Sequence, residues 1–213
     1  MCYNIIITIM TLYYLTKIIQ ENTFIYTVIE QCQTKSIFDM KKHKPEITII
    51  LDRLRSAHNT GNIFRLADAV GAHEIIACGY TPAPPHPKLA KTAMGTDKYV
   101  QCRHFNTSLE AVNALREEGI KMILAVETID YAVSAWKMDY QYPLAIVLGN
   151  EALGISEDTI EACDGAVNLP MFGNKESINV GNCAAVVLYS AVAHYESGSD
   201  IEISHVGTLN FQR

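Results

Sequence analysis

Asn59 and Arg65 sit six positions apart in the run His58-Asn59-Thr60-Gly61-Asn62-Ile63-Phe64-Arg65. On a helix that spacing is nearly two turns, so both side chains could reach a cleft at the helix start. An amide can donate and accept at once, and a guanidinium can grip a phosphate or a developing oxyanion. The plainer reading is a capped helix with a surface arginine. A second segment runs from Leu148 through Gly149-Asn150-Glu151-Ala152-Leu153-Gly154-Ile155 to Ser156. Its glycines have the spacing of a phosphate-binding loop, but Ile155 stands where that loop needs lysine, which argues against a nucleoside triphosphatase. Glycine there permits a tight turn and close backbone approach to a ligand. The third segment is Leu169-Pro170-Met171-Phe172-Gly173, where Pro170 and Gly173 bracket a loop that turns Met171 and Phe172 toward a ligand or the core. The fourth is Ser177-Ile178-Asn179-Val180, in which Ser177 can cap a helix and Asn179 falls in its first turn.

All four follow predicted strands. Ile47–Asp52, Glu74–Cys78, Met122–Val126 and Leu144–Leu148 are short apolar runs rich in β-branched residues, and Tyr99–Phe105 and Ala166–Leu169 are read as strands too. Between them lie helical patterns. One opens at Asn59 or Thr60 as cap, places Ile63, Leu66, Ala67 and Val70 on one face, and stops at Gly71. Others span Lys88–Met94, Ser108–Glu118, Glu157–Cys163 and Ser177–Tyr195. The Pro-rich stretch from Thr81 to Pro87 is a loop. This alternation predicts an α/β fold with a mainly parallel sheet covered by helices on both faces. Ligands in such folds sit beyond the carboxyl ends of the strands, where the four segments fall.

Composition narrows the function. The net charge of −6 opposes a nucleic-acid partner unless basic residues are gathered locally. They are: Lys41, Lys42, Lys44, Arg53, Arg55 and Arg65 form one stretch, and Lys88, Lys91, Lys98 and Arg103 another. The cysteines, Cys2, Cys32, Cys78, Cys102, Cys163 and Cys183, form no CxxC pair, and the histidines form no HExxH, so no metal site is expected. Reduced thiols fit a cytoplasmic protein. No GxGxxG follows an early strand, which argues against a dinucleotide-dependent oxidoreductase.

Residues 1–39 contain no Gly, Ala, Pro or Arg, whereas all four are common from residue 40 onward. A membrane anchor at Tyr3–Ile19 is disfavoured, because no basic residue precedes it, no small-residue cleavage site follows, and Asn, Thr and Tyr dilute it. The segment is expected to be an N-terminal extension outside the functional domain, read from AT-rich upstream sequence, with Met40 as the true start. The functional domain is expected at 40–196, with a polar tail at 197–213.

Taken in order, Asn-x5-Arg, GNExxGIS, LPMxG and SIN resemble the three signature motifs of SpoU-type 2′-O-ribose methyltransferases of the SPOUT superfamily. The resemblance runs from Ile47 to Tyr195, and Thr81-Pro82, Pro85-His86-Pro87 and Lys91-Thr92-Ala93-Met94-Gly95 look like the linking segment of small members. Asn62, Ala152, Ile178 and Gly181-Asn182 depart from the usual pattern without removing a polar group from the motifs.

The resemblance implies a C-terminal deep trefoil knot, S-adenosylmethionine as cofactor and a homodimer built on the first and last helices. It implies cofactor contacts at Val126, Leu148, Gly149, Leu169, Met171 and Ile178, and catalytic roles for Arg65, Asn59, Glu151, Ser177 and Asn179. In this family the arginine is commonly proposed as general base. A guanidinium stays protonated at ordinary pH, so gripping a phosphate and polarising the 2′-oxygen suits Arg65 better. The implied partner is RNA, with no membrane. Ala67-Asp68-Ala69-Val70-Gly71-Ala72-His73-Glu74 looks like the enzymes that modify the tRNA D-loop guanosine. Ribosomal RNA is the alternative, and a non-catalytic RNA-binding SPOUT fold a third.

Overall fold

The structure is a computed structural model, and it describes residues 44–198. The expectations for residues 1–39 and for the tail beyond residue 198 lie outside the described residues.

The strands are β1 (Ile47–Asp52), β2 (Glu74–Cys78), β3 (Cys102–Phe105), β4 (Met122–Val126), β5 (Val133–Ser134), β6 (Leu144–Leu148) and β7 (Gly165–Asn168). The helices are α1 (Ala57–Val70), α2 (Pro87–Ala93), α3 (Ser108–Glu117), α4 (Glu157–Ala162) and α5 (Val180–Gly198), with a 3-10 turn at Thr96–Lys98. The strands form one sheet in the order β3-β2-β1-β6-β4-β7-β5, and every pairing is parallel. The mainly parallel α/β sheet expected from the apolar runs is what the chain forms.

Successive strand residues point to opposite faces, and both faces are covered. Ile47, Ile49 and Leu51 of β1 with Leu144, Ile146 and Leu148 of β6 pack under Ile63, Phe64 and Ala67 of α1 and Ala184, Val187 and Leu188 of α5. Ile50, Ile76, Ile123, Ala145 and Val147 face the other way, against Ala111, Val112 and Leu115 of α3. Full burial of one such aliphatic side chain contributes about 1.5–3 kcal/mol. These layers hold the strand ends in fixed relation.

Two caps differ from expectation. Helix α1 starts at Ala57, because the Ser56 side chain accepts the Asn59 N–H and so serves as cap in place of Asn59 or Thr60. That frees both polar groups of Asn59 for the site. Helix α5 starts at Val180 and not Ser177, because Asn179 Oδ1 accepts the N–H groups of Gly181 (2.9 Å) and Asn182 (3.4 Å). Gly71 ends α1 as expected, with a left-handed φ of 65°.

Candidate active site

Register places the site. Leu148 of β6 lies opposite both Leu51 of β1 and Val126 of β4, and Val126 lies opposite Val167 of β7. Four neighbouring strands therefore end at one level, and the segments starting at residues 53, 127, 149 and 169 leave the same edge side by side. The strand order reverses there, which is where open α/β sheets place their ligands.

Three of the five residues expected to do chemistry form one hydrogen-bonded chain. Asn59 Nδ2 donates to Glu151 Oε1 at 2.9 Å, and Asn179 Nδ2 donates to Asn59 Oδ1 at 3.1 Å. Glu151 also accepts the backbone N–H of Arg55 (3.0 Å) and of Ser56 (3.2 Å). Burial works to raise its pKa, but the Arg55 N–H, the Asn59 amide and further backbone donors outweigh that and hold the carboxyl below its ordinary value. Asn59 is buried, so this chain fixes its orientation: its oxygen accepts a hydrogen bond from Asn179 and its NH2 group donates one to Glu151.

Arg65 and Ser177 lie outside the chain. Arg65 is exposed on α1 and makes no hydrogen bond or ion pair within the described residues. It borders a shallow cleft of about 440 Å³ together with Asn62, Leu66, Asp68, Met94 and Thr96. Six helical positions turn the side chain onto a different face from Asn59, which the spacing argument overlooked. Ser177 is exposed and makes no hydrogen bond there either.

The six residues expected to contact a cofactor fall on the β6, β4 and β7 ends and on the segment after β7. Leu148 is buried, and Val126 and Leu169 pack against the same cluster. Met171 and Ile178 are exposed apolar side chains on the segment before α5, as is Phe172. Gly149 is required by the turn: a Cβ there would lie 2.7 Å from the Gly154 carbonyl carbon and 2.7 Å from the Ile155 nitrogen. Those neighbours are backbone and cannot give way, so Gly149→Ala is expected to cost about 1–3 kcal/mol. Denaturant unfolding checks this; an unchanged midpoint would mean that the loop reopens without cost.

Three residues escaped the sequence reading. Asn150 is buried, and its Nδ2 donates to the Arg53 carbonyl (2.5 Å) and to the Tyr80 hydroxyl (2.9 Å). Its Oδ1 accepts the N–H groups of Ala152 and Leu153, which closes the turn around Glu151. Glu127 follows β4 and accepts the Ile155 N–H at 3.2 Å. Asp52, also buried, accepts from the Arg53 guanidinium and from the Ser156 N–H. The only sequence signal was the polar type of Asn150 inside a motif; the others had none.

Charge is redistributed relative to the linear reading. Arg103 is bound by Glu74 and Glu118, so it is not free for phosphate, whereas Lys88, Lys91 and Lys98 are exposed without an ion pair among the described residues. Burial first of all pushes the Cys78 and Cys163 thiols up to about 12 and those of Cys102 and Cys183 to about 11, so all four stay protonated. Among the described residues no helix is long and apolar enough to cross a membrane.

A family model described as the SpoU rRNA Methylase family matches residues 46–189. The tRNA (guanosine(18)-2'-O)-methyltransferase of Escherichia coli is 33% identical over 152 residues, covering 71% of this chain and 65% of the relative. A 23S rRNA (guanosine-2'-O-)-methyltransferase of Ralstonia nicotianae is 34% identical over 149 residues, covering 70% of this chain and 59% of the relative. The chain thus spans less than two thirds of either relative. Among solved structures, the SpoU methyltransferase AviRb from Streptomyces viridochromogenes, crystallised with AdoMet, has a TM-score of 0.66 at 28% identity, covering 73% of this chain and 60% of that one. With the family model spanning the sheet, the Asn59–Glu151–Asn179 chain and the first half of α5, this protein belongs to the SpoU methylase family.

Proposed function

We propose that the chain transfers a methyl group from S-adenosylmethionine to a ribose 2′-hydroxyl of RNA, with tRNA preferred over rRNA and the D-loop guanosine as the position. The observation that carries this reading is the Asn59–Glu151–Asn179 chain, drawn from three distant segments to one sheet edge. Relatives named for tRNA guanosine methylation and for rRNA methylation support the substrate class.

The residues present fit the cofactor. Val126, Leu148 and Leu169 make an apolar floor at adjacent strand ends, and Met171 and Ile178 offer exposed apolar surface with loop backbone beside them. That combination suits an adenine and a methionyl chain. S-adenosylmethionine supplies, when bound, a methyl group on a positively charged sulfur. Asn59, Glu151 and Asn179 set a rigid hydrogen-bonding wall that orients the ribose, with Ser177 presented from the same segment. Arg65 grips a phosphate and polarises the 2′-oxygen, and the proton leaves to phosphate or water.

Arg65 stands apart from that wall within one chain, so the reading includes a homodimer in which a second copy completes the site. It also includes a cytoplasmic location, a functional domain at 40–196 and a deep trefoil knot. Support for the knot is topological: β6 inserts between β1 and β4, and α5 then returns against α1 on the face where Ile63 and Ala184 share a cluster.

Calorimetry with S-adenosylmethionine and mapping of 2′-O-methyl sites in RNA from cells with and without the gene test this reading. Binding is expected, together with loss of one tRNA methyl in the deletion. Binding without any lost methyl would make the protein a non-catalytic RNA binder, and no binding would end the assignment.

A further inference from the structure

Tyr80 lies two residues beyond β2 and is 57% exposed. An exposed tyrosine usually leaves its hydroxyl in water. Here the hydroxyl points inward and accepts the Asn150 amide, which belongs to a residue only 4% exposed. The same Nδ2 holds the carbonyl of Arg53, whose φ of 51° is a sterically disfavoured conformation for a residue with a side chain. The Arg53 stem lies against Gly79, next to Tyr80: a Cβ at Gly79 would meet its Cγ at 3.0 Å. Arg53 spends Nε and Nη2 on Asp52, at 3.0 Å each, and keeps a third of its side chain exposed.

One buried amide therefore holds three things in a single frame: a largely exposed ring, a strained arginine, and the turn that carries Glu151. A hydroxyl anchored this way restricts the ring before anything binds, so a flat ligand that covers it meets less entropic cost than at a free tyrosine. Nucleobases are such ligands; they stack on exposed aromatic rings irrespective of sequence.

We propose that Tyr80, flanked by Arg53, is the platform on which one base of the RNA substrate stacks at the rim of the Asn59–Glu151–Asn179 site. The proposal rests on the reading of the chain as an RNA methyltransferase. It assigns Tyr80 to substrate binding and leaves cofactor binding alone.

The test compares the full chain with Tyr80→Phe, Tyr80→Leu and Tyr80→Ala in filter binding to an unmodified tRNA transcript at fixed salt, and in steady-state kinetics. Leu and Ala are expected to weaken binding about 10- to 100-fold and to raise KM with kcat much less affected, while Phe, which keeps the π face but loses the hydroxyl held by Asn150, falls between Leu and the parent. Affinity for S-adenosylmethionine by calorimetry is expected to be unchanged in all three. If truncation to Ala disturbs the fold, the Phe–Leu pair still decides, because both fill the space and only one stacks. A Leu variant that binds tRNA as tightly as the parent overturns the platform alone. A parent chain that binds neither tRNA nor rRNA overturns the methyltransferase reading and the platform with it.

Discussion

Arg65→Ala is expected to slow methyl transfer about 100- to 1,000-fold at saturating substrates, the range seen when one preorganised donor to a developing oxyanion is removed. Affinity for S-adenosylmethionine should stay at the parent value. The separation follows from position. Arg65 stands exposed on α1, about 9 Å along the helix axis from Asn59, and borders a cleft with Asn62, Leu66, Asp68, Met94 and Thr96 that includes none of Val126, Leu148 and Leu169. Because no carboxylate among the described residues neutralises it, its charge is available to a phosphate, unlike that of Arg103. Arg65→Lys sharpens the point. Lysine keeps the charge but loses the planar fork and is more strongly hydrated, so most of the loss should persist. Single-turnover rates beside calorimetry provide the check, and nearly full turnover in the Lys variant would remove the fork geometry from the mechanism.

The fold was legible where physics is local. Ile47–Asp52, Glu74–Cys78, Met122–Val126 and Leu144–Leu148 carry their signal in short, nearly unbroken apolar runs, and the structure reproduces those spans residue for residue. Boundaries moved where a neighbour decides them. Tyr99 to Gln101 looked like the start of β3, but the N–H groups of Tyr99 and Val100 turn back to the Thr96 carbonyl, and the strand begins at Cys102. Strand β5 is two residues long at the sheet edge and has no periodicity to detect.

The site was legible as residue types and not as contacts. Asn59 and Glu151 are 92 positions apart, and only the assembled sheet brings them within a hydrogen bond. Two departures from the family pattern, Asn62 and Gly181, turn out to meet. A Cβ at Gly181 would sit 2.7 Å from Asn62 Nδ2, so the larger residue on α1 is accommodated by glycine on α5. Neither departure has that meaning read alone.

Glu151→Ala is expected to lose both stability and activity, because one carboxylate serves three donors. The Arg55 and Ser56 N–H groups and the Asn59 amide would all lose their acceptor. A buried donor left unsatisfied costs about 1–3 kcal/mol, and water reaches this exposed side chain, so the total belongs toward the lower end of that range. The larger effect is on catalysis. Without its acceptor Asn59 can rotate, Asn179 loses its fixed partner, and misplacement of a positioning group costs about 100-fold in transfer. Acidity separates the carboxylate from the rest of the loop. Its pKa is depressed in the fold, so its contribution is complete above the ordinary glutamate value of 4.5 and fades as pH falls through the lower folded value. Glu151→Gln keeps the shape and has no such titration, so the gap in unfolding free energy between parent and variant should narrow as the solution is acidified through that window. A gap that stays constant would show that the carboxylate's charge does not hold the Arg55–Ser56 turn against the Asn59 amide.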